Sequence, residues 1–174
     1  MSKIFCLLCF LSAVLANAQL PEMKVSKSGF EPVVVSIPTT SNEKLTELTK
    51  AWLQEIVHNN PDRGKGYEVS GVTENSATVT GYKRNAFFYR SLGETYNHNI
   101  DYTMQLVFRQ NSYDVTFTVN QIYTDNNVAV KSALADYFTN SGGLKEGYYG
   151  LDASLNKTVN ALVQSHYDFI LSHR

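Results

Sequence analysis

Four histidines are the side chains best suited to metal binding or proton transfer in this sequence: His58, His98, His166 and His173. None belongs to an H-E-x-x-H or H-x-H arrangement, which would direct two imidazoles toward one metal ion. His166 and His173 share one stripe of a predicted C-terminal helix, but seven residues separate them by about 10 Å along a helix axis. The sequence therefore predicts no metal site. It also predicts that His166 is a hydrogen-bonded histidine at the edge of the core.

The sequence also lacks the motifs of nucleophilic catalysis and of cofactor binding. No G-x-S-x-G turn presents a serine for attack. Gly64-Lys65-Gly66 lacks the spacing of a phosphate-binding P-loop. We therefore interpret the chain as a non-enzyme without a cofactor. A Ser/His/Asp triad is defined by geometry and not by spacing, so a hydrolase with an unrecognised site stays open as an alternative.

The first 18 residues have the three parts of a cleavable secretory signal peptide. Lys3 supplies the positive charge, residues 4–14 form an apolar run, and Ala16-Asn17-Ala18 offers small residues at a cleavage site. Gln19 stands where a lipoprotein would have cysteine, so no lipid anchor is expected. Both cysteines of the chain precede this site, so cleavage near Ala18 predicts a cysteine-free mature chain in the periplasm or outside the cell.

Charge argues against a nucleic-acid partner, and hydropathy argues against a transmembrane segment. The chain has 15 basic and 16 acidic residues, and its longest basic run is Lys83-Arg84. Nucleic-acid binding normally needs a basic surface, which this composition does not provide. No segment after the signal peptide approaches the ~20 apolar residues of a transmembrane helix. We expect no nucleic-acid partner and no transmembrane segment, and the expected partner is an envelope protein or ligand.

Periodicity predicts one domain of the α+β class over residues 19–174. Residues 19–29 are polar and predict a flexible lead-in, and residues 30–37 predict a strand that Pro38 ends. Thr40-Ser41-Asn42-Glu43 has the pattern of a capping box with Thr40 as the N-cap. The helix that follows is expected to end near His58, and the apolar spacing makes its Trp52 a core anchor.

Strands dominate the middle of the chain. Residues 67–73 and 77–82 predict two strands, residues 85–90 continue the sheet or bend away from it, and residues 91–99 predict a polar loop. Apolar and polar residues then alternate over 102–109 and 113–120, which predicts a hairpin with one apolar face. A polar opposite face is typical of an antiparallel sheet that is covered on one side only.

The last third of the chain is predicted to be helical. One short helix is expected over residues 128–138 and a second, of about 20 residues, after Gly150. The predicted architecture is thus an antiparallel sheet of about five strands, with one helix after the first strand and two C-terminal helices packed on one face. Residues 30–124 hold the sheet and first helix, and residues 125–174 the helical C-terminal part.

Two aromatic segments are candidates for binding a partner. Phe87, Phe88 and Tyr89 are consecutive, so in a strand at least one ring faces away from the core. Tyr148 and Tyr149 lie between two glycines in a segment that separates the predicted helices, and tyrosine is a common interface residue. The alternative for the first segment is that helices or an edge loop cover it. The alternative for the second is that its rings fill a gap between the C-terminal helices.

The order of these elements resembles a known family. Lys50-Ala51-Trp52-Leu53, the alternation over residues 100–108 and the strand at residues 113–117 are similar to the domain of unknown function 4468. This family comprises exported proteins of Bacteroidetes-type bacteria with a TBP-like fold. The resemblance covers roughly residues 30–124, and Asn111-Ser112 replaces the family's basic-glycine turn. It implies a fold and no activity, and the TBP-like shape does not imply DNA binding.

The function that these features favour is a binding or structural module of the bacterial envelope without catalytic activity. A hydrolase is one alternative, and a small-molecule carrier with a cavity between the sheet and the last helix is another. A pocket of convergent polar groups would favour the hydrolase, and a large apolar cavity would favour the carrier. A filled core with an exposed aromatic patch would favour the binding module.

Overall fold

The computed structural model describes residues 20–59 and 68–174. The predicted signal peptide and the Gly64-Lys65-Gly66 segment lie outside the described residues. The described residues form seven strands and two α-helices. Their bounds are β1 Val25–Ser26, β2 Gly29–Phe30, β3 Val33–Ser36, α1 Asn42–Asn59, β4 Glu68–Ser70, β5 Ser76–Ser91, β6 Glu94–Arg109, β7 Ser112–Thr124 and α2 Leu151–His173.

Five strands form one antiparallel sheet in the order β3-β7-β6-β5-β4, and β1 pairs with β2 in a separate ribbon. The predicted alternation is confirmed in β6 and β7. Met104 and Phe117 are buried, whereas Gln105 and Thr118 are exposed on the opposite face. The helices pack against the apolar face, so the architecture is α+β with a sheet covered on one side.

Trp52 and His166 join the two helices to the sheet. Trp52 is fully buried, as its spacing predicts, and its indole N–H donates to Ser165 Oγ over 3.1 Å. Its ring meets the imidazole of His166 edge-on, with centroids 4.9 Å apart. His166 itself is completely buried, deeper than the core edge that its sequence position suggests, because α1 and β7 close over it.

Both ring nitrogens of His166 are satisfied by hydrogen bonds. The hydroxyl of Thr49 donates to the carbonyl of Leu45 over 2.8 Å, so it must accept from His166 Nε2–H at 3.0 Å. Nδ1 then accepts from the hydroxyl of Tyr113 at 3.1 Å. This network fixes the neutral tautomer of His166. Burial lowers the pKa of His166 to about 3 and raises the pKa of Tyr113.

Helix α1 is capped one residue later than predicted. Ser41 Oγ accepts the Lys44 N–H over 3.3 Å, and the Ser41 carbonyl accepts the Leu45 N–H over 2.9 Å. The hydroxyl of Thr40 instead donates to the carbonyl of Pro38. Ser41 is therefore the N-cap, and hydrogen bonds from the Glu43 backbone and from Ser41 lower the pKa of the Glu43 carboxyl.

The lead-in predicted over residues 19–29 is not loose where it is described. Met23 is fully buried, and its backbone bonds to the side-chain amide of Asn160 in both directions, each over 2.8 Å. The amide thereby acts like a neighbouring strand. The strand predicted over residues 30–37 is split, since β2 ends at Phe30 and β3 begins at Val33 on the other side of Pro32.

Two further predictions about local structure are wrong. Residues 91–99 are not a loop: β5 and β6 continue as a hairpin to the two-residue turn Leu92-Gly93. Residues 128–138 are not a helix, because the Val130 N–H donates to the Ile122 carbonyl and ties this segment to the end of β7. Only a short 3-10 turn, Leu134–Tyr137, forms there, so one C-terminal helix is present instead of two in the described part of the chain.

Helix α2 seals the outer edge of β5. Among the described residues, β5 has no pairing with β4 beyond residue 80, but the Phe88 N–H donates to Ser154 Oγ over 3.1 Å. One helical turn later, the hydroxyl of Thr158 donates to the carbonyl of Ala86 over 2.6 Å. The side chains of one helix therefore satisfy backbone groups that a further strand would otherwise bond.

Candidate functional site at the hairpin end

The hairpin of β5 and β6 projects beyond the rest of the sheet. The last residue of β7, Thr124, pairs with His98, whereas β5 and β6 continue to the pair Ser91 and Glu94. We call residues 87–98 the hairpin end. Its backbone is ordered by strand pairing, so the side chains that it carries are held on a rigid support.

Four stacked rings run along one face of the hairpin end. Phe87 lies opposite His98, and Tyr89 lies opposite Tyr96. The ring centroids are 4.9 Å apart for Phe87 and His98, 5.1 Å for His98 and Tyr89, and 5.2 Å for Tyr89 and Tyr96. Exposure rises along this aromatic ladder from 2% at Phe87 to 44% at Tyr96. The ladder therefore connects the core to the surface.

Two tyrosines from the following segment of the chain pack on the ladder. The ring of Tyr148 meets the rings of Tyr89 and of Tyr137 edge-on, each with centroids 4.9 Å apart. Tyr137 also approaches Phe87, at 6.3 Å. The two aromatic segments that the sequence singles out, about 60 residues apart, thus meet between Tyr89 and Tyr148. These contacts hold residues 137–148 against the hairpin end.

The other two predicted residues, Phe88 and Tyr149, are placed differently. Strand alternation places Phe88 on the face opposite Phe87 and Tyr89. The Arg90 N–H donates to the carbonyl of Tyr149 over 2.9 Å, which fixes the backbone of Tyr149 beside β5. Of the five predicted residues, Phe87, Tyr89 and Tyr148 therefore form one cluster, and Phe88 and Tyr149 do not join it.

Several residues of this site were not found by sequence reasoning. Tyr96 and His98 fall in the predicted loop, and Tyr137 falls in the predicted helix. The alternation of Tyr96, His98 and Ile100 was the signal that could have revealed a strand. Nothing comparable in the sequence indicates Tyr137, because its contacts join segments that are distant along the chain.

The rings of His98 and Tyr89 are uncharged at neutral pH. Burial lowers the pKa of His98, although the bond to the Tyr96 carbonyl partly opposes this change. Burial and the neighbouring tyrosines raise the pKa of Tyr137 to about 12, and burial raises the pKa of Tyr89. A ligand would thus meet neutral aromatic surface, which binds by stacking and by release of water.

Three large apolar side chains remain exposed around this cluster. Leu92 at the turn is fully exposed, Tyr149 is 61% exposed, and Tyr96 forms the outer end of the ladder. Leu92 also has a positive φ of 50°, and Gly93 follows with 85°. Such a type I′ turn favours Asn-Gly or Gly-Gly over leucine.

A groove lies between α1, α2 and the edge of β5, where the small-molecule carrier alternative requires a cavity. Its volume is about 1640 Å³, and charged side chains such as Lys157 and Asp168 line it beside Leu162 and Phe169. Small-ligand sites commonly measure roughly 300–1,000 Å³ and enclose most of the ligand. This groove is larger and open to solvent.

Comparison with known proteins identifies the fold. The sequence matches no known family profile, and no curated protein is similar to it. A DUF4468 family protein from Bacteroides ovatus superimposes with a TM-score of 0.55 at 13% identity, covering 90% of each chain. A TBP-like protein from Parabacteroides distasonis gives a TM-score of 0.57 at 13% identity, covering 81% of this chain and 91% of the other. The chain has a TBP-like fold.

The resemblance to the domain of unknown function 4468 is thereby confirmed at the level of the fold. Identity of 13% carries no residue roles from one chain to another. Neither described helix is long and apolar enough to cross a membrane.

Proposed function

We propose that the protein is an exported, non-catalytic binding module of the bacterial envelope and that the hairpin end is its partner surface. The observation that carries this proposal is the exposure of Leu92 and Tyr96 on the projecting hairpin and of Tyr149, whose backbone is bonded to Arg90 of the same hairpin. Exposed apolar patches with a polar surround often mark protein interaction sites. Aromatic residues are also the usual anchors of such sites.

The conformation of Leu92 supports a role outside folding. A left-handed backbone costs a non-glycine residue roughly 1–2 kcal/mol. Leu92 recovers nothing by burial, because its side chain is fully exposed. Burial of the Leu92 side chain against a partner would offset this cost, which would explain why leucine stands at the turn.

The aromatic ladder supports the same proposal through rigidity. Tyr96 rests on Tyr89, which Tyr148 holds from a second side. A ring that is already ordered loses little conformational entropy when a partner binds to it. The small-molecule carrier alternative is less well supported, because the groove beside α2 is open to solvent.

Binding is tested with a variant that removes only exposed side chains: Leu92→Asn, Tyr96→Ser, Tyr149→Ser. The mature protein, immobilised, is presented with envelope extract of its own organism, and retained species are compared by mass spectrometry. We expect the variant to lose specifically retained partners while its melting temperature stays near that of the wild type. Val34→Ser is the matched control, since Val34 is exposed on β3, away from the hairpin end. If the triple variant and the Val34→Ser control retain the same partners in equal amounts, the partner surface lies elsewhere.

Export is tested separately by the intact mass of the protein recovered from outside the cytoplasm. The signal features predict a chain that begins at Gln19. A recovered species that retains Met1, or that carries a lipid, contradicts this part of the proposal without affecting the binding surface.

A further inference from the structure

Helix α2 carries a row of exposed residues that has the same spacing when it is counted from either end. The residues of this row, which we call the α2 ridge, are Ala153, Lys157, Ala161, Gln164, Asp168 and Ser172. All six are exposed, and all six line the groove beside α1 and β5. Successive members are four, four, three, four and four positions apart, so they follow one line along the helix.

The chemistry of the ridge is self-complementary about its centre. The midpoint falls between Leu162 and Val163, with Lys157 and Asp168 equally far from it on opposite sides. These two charges are 11 residues apart, or about 16 Å along the helix axis. Two copies of the helix, placed antiparallel with their midpoints together, would bring each lysine opposite the other copy's aspartate.

We propose that the α2 ridge is the interface of a symmetric dimer, in which a second copy of the chain packs its own α2 antiparallel against it. A two-fold axis at the midpoint makes such an interface isologous, so each contact occurs twice. Lys157 then faces Asp168 of the second copy, Ala153 faces Ser172, and Ala161 faces Gln164. Ala153 and Ser172, at the two ends of the ridge, have small side chains, which allow the two helices to approach closely there.

The single chain leaves the charges of the ridge available for this pairing. Lys157 forms no ion pair in the part of the chain that the structure describes, and Asp168 accepts a hydrogen bond from Gln164 Nε2 over 2.8 Å. Beside the ridge, Leu162 and Phe169 are half-buried and would lose further solvent exposure when a second helix covers them. Glu55, Lys83 and Arg84 line the same groove, so its other walls carry charges of both signs.

The charge pairing is tested by reversal and exchange, with sedimentation velocity over a range of protein concentrations as the measurement. Lys157→Asp alone and Asp168→Lys alone each create two like-charge contacts per dimer. Each should weaken dimerisation by about tenfold or more. The double variant Lys157→Asp, Asp168→Lys restores both opposite-charge contacts and should recover the wild-type dissociation constant. Lys145→Asp, on the segment before α2, is the matched control and should leave dimerisation unchanged.

The antiparallel register is tested independently by cysteine crosslinking in the mature chain, which has no cysteine of its own. Ala153→Cys combined with Ser172→Cys should give a covalent dimer on mild oxidation. These two positions are about 28 Å apart within one helix, so the bond cannot form within a single chain. Either single cysteine variant should crosslink far less, because its counterpart across the axis is not a cysteine.

Either of the two experiments, sedimentation velocity or crosslinking, can overturn the proposal. A wild-type chain that stays monomeric at about 1 mM, or a double exchange that dimerises no better than the single reversals, rules out this interface. Efficient crosslinking of Ala153→Cys alone would indicate a different arrangement of the helices. All six ridge residues are exposed, and circular dichroism checks that each variant has retained its fold.

Discussion

Two clusters of aromatic rings around a buried histidine differ in how far they open to solvent. In the core, His166 is enclosed by Trp52 and Tyr113, and both of its nitrogens are hydrogen-bonded. At the hairpin end, His98 is stacked between Phe87 and Tyr89. The first cluster is closed on all sides, while the second opens toward solvent at Tyr96.

The difference shows that residue type alone does not decide what an aromatic cluster does. The core cluster joins three elements and has its polar atoms satisfied internally, so it contributes rigidity and uniqueness. The hairpin end uses the same residue types, but its buried half supports an exposed half. Substitutions should therefore affect folding in the first cluster and binding in the second.

The largest effect is expected from Trp52→Ala. Removing a fully buried tryptophan leaves a cavity and breaks the bond to Ser165, so the free energy of unfolding should fall by about 3–5 kcal/mol. Denaturant unfolding measures this loss. A loss below about 1 kcal/mol would mean that the core cluster does not hold α1 in place.

The two histidines should make the protein sensitive to acid. The pKa of His166 is lowered to about 3 in the folded protein, against about 6.5 in the unfolded chain. Its stabilising effect is therefore complete above pH 6.5 and is lost as the pH falls toward 3. In this window the free energy of unfolding should fall by about 1.4 kcal/mol per pH unit from this group alone.

The variant His166→Gln provides the control for this acid sensitivity. Glutamine can bond to Thr49 but does not titrate, so the variant should be less stable at pH 7 and lose less stability between pH 6 and 4. The lowered pKa of His98 contributes in the same direction and remains in the variant. Equal slopes for the two proteins would contradict the assignment of a neutral buried His166.

Substitutions of Tyr148 and Tyr149 should have different effects on stability, although the two residues are neighbours in sequence. Tyr148→Ala removes two edge-on ring contacts and should cost about 1–3 kcal/mol. Tyr149→Ala removes an exposed ring and should change stability by less than about 0.5 kcal/mol. Thermal unfolding of the two single variants makes the comparison, and equal losses would show that Tyr149 is also part of the cluster.

One substitution at the hairpin end should change stability in the opposite direction. Leu92→Asn places a residue that tolerates positive φ at the turn, so stability should rise by about 1 kcal/mol. Partner retention should fall in the same variant. A variant that is less stable than the wild type would mean that Leu92 contributes to the fold and would remove one support of the proposed binding surface.

Local patterns predicted the elements that rest on regular periodicity. The apolar stripe of α1 correctly predicted that Trp52 is buried. The alternation around Met104 correctly predicted the hairpin of β6 and β7. The spacing of Val130, Leu134 and Phe138 also fits a helix, but bonds to the end of β7 decide that segment. Such bonds depend on residues that are remote in sequence, so periodicity cannot reveal them.

The site was predicted in its parts but not in its arrangement. Consecutive aromatic residues identified residues 87–89 and 148–149 as unusual. The contact between Tyr89 and Tyr148 depends on how residues 125–150 return to the sheet, and no local rule specifies that path. The turn at Leu92 was missed because leucine is not a residue that such turns favour.

The hydroxyls of Ser154 and Thr158 occupy a strand edge that would otherwise be open, and we expect this to limit aggregation. An open strand edge is a template on which another chain can add a strand. Residues 86–90 of β5 would offer such an edge if the bonds from α2 and Tyr149 were absent. Because α2 follows every strand in the chain, this edge stays open in any intermediate whose sheet has formed before the helix docks. The rate at which α2 docks therefore sets how long each newly folding chain can recruit another.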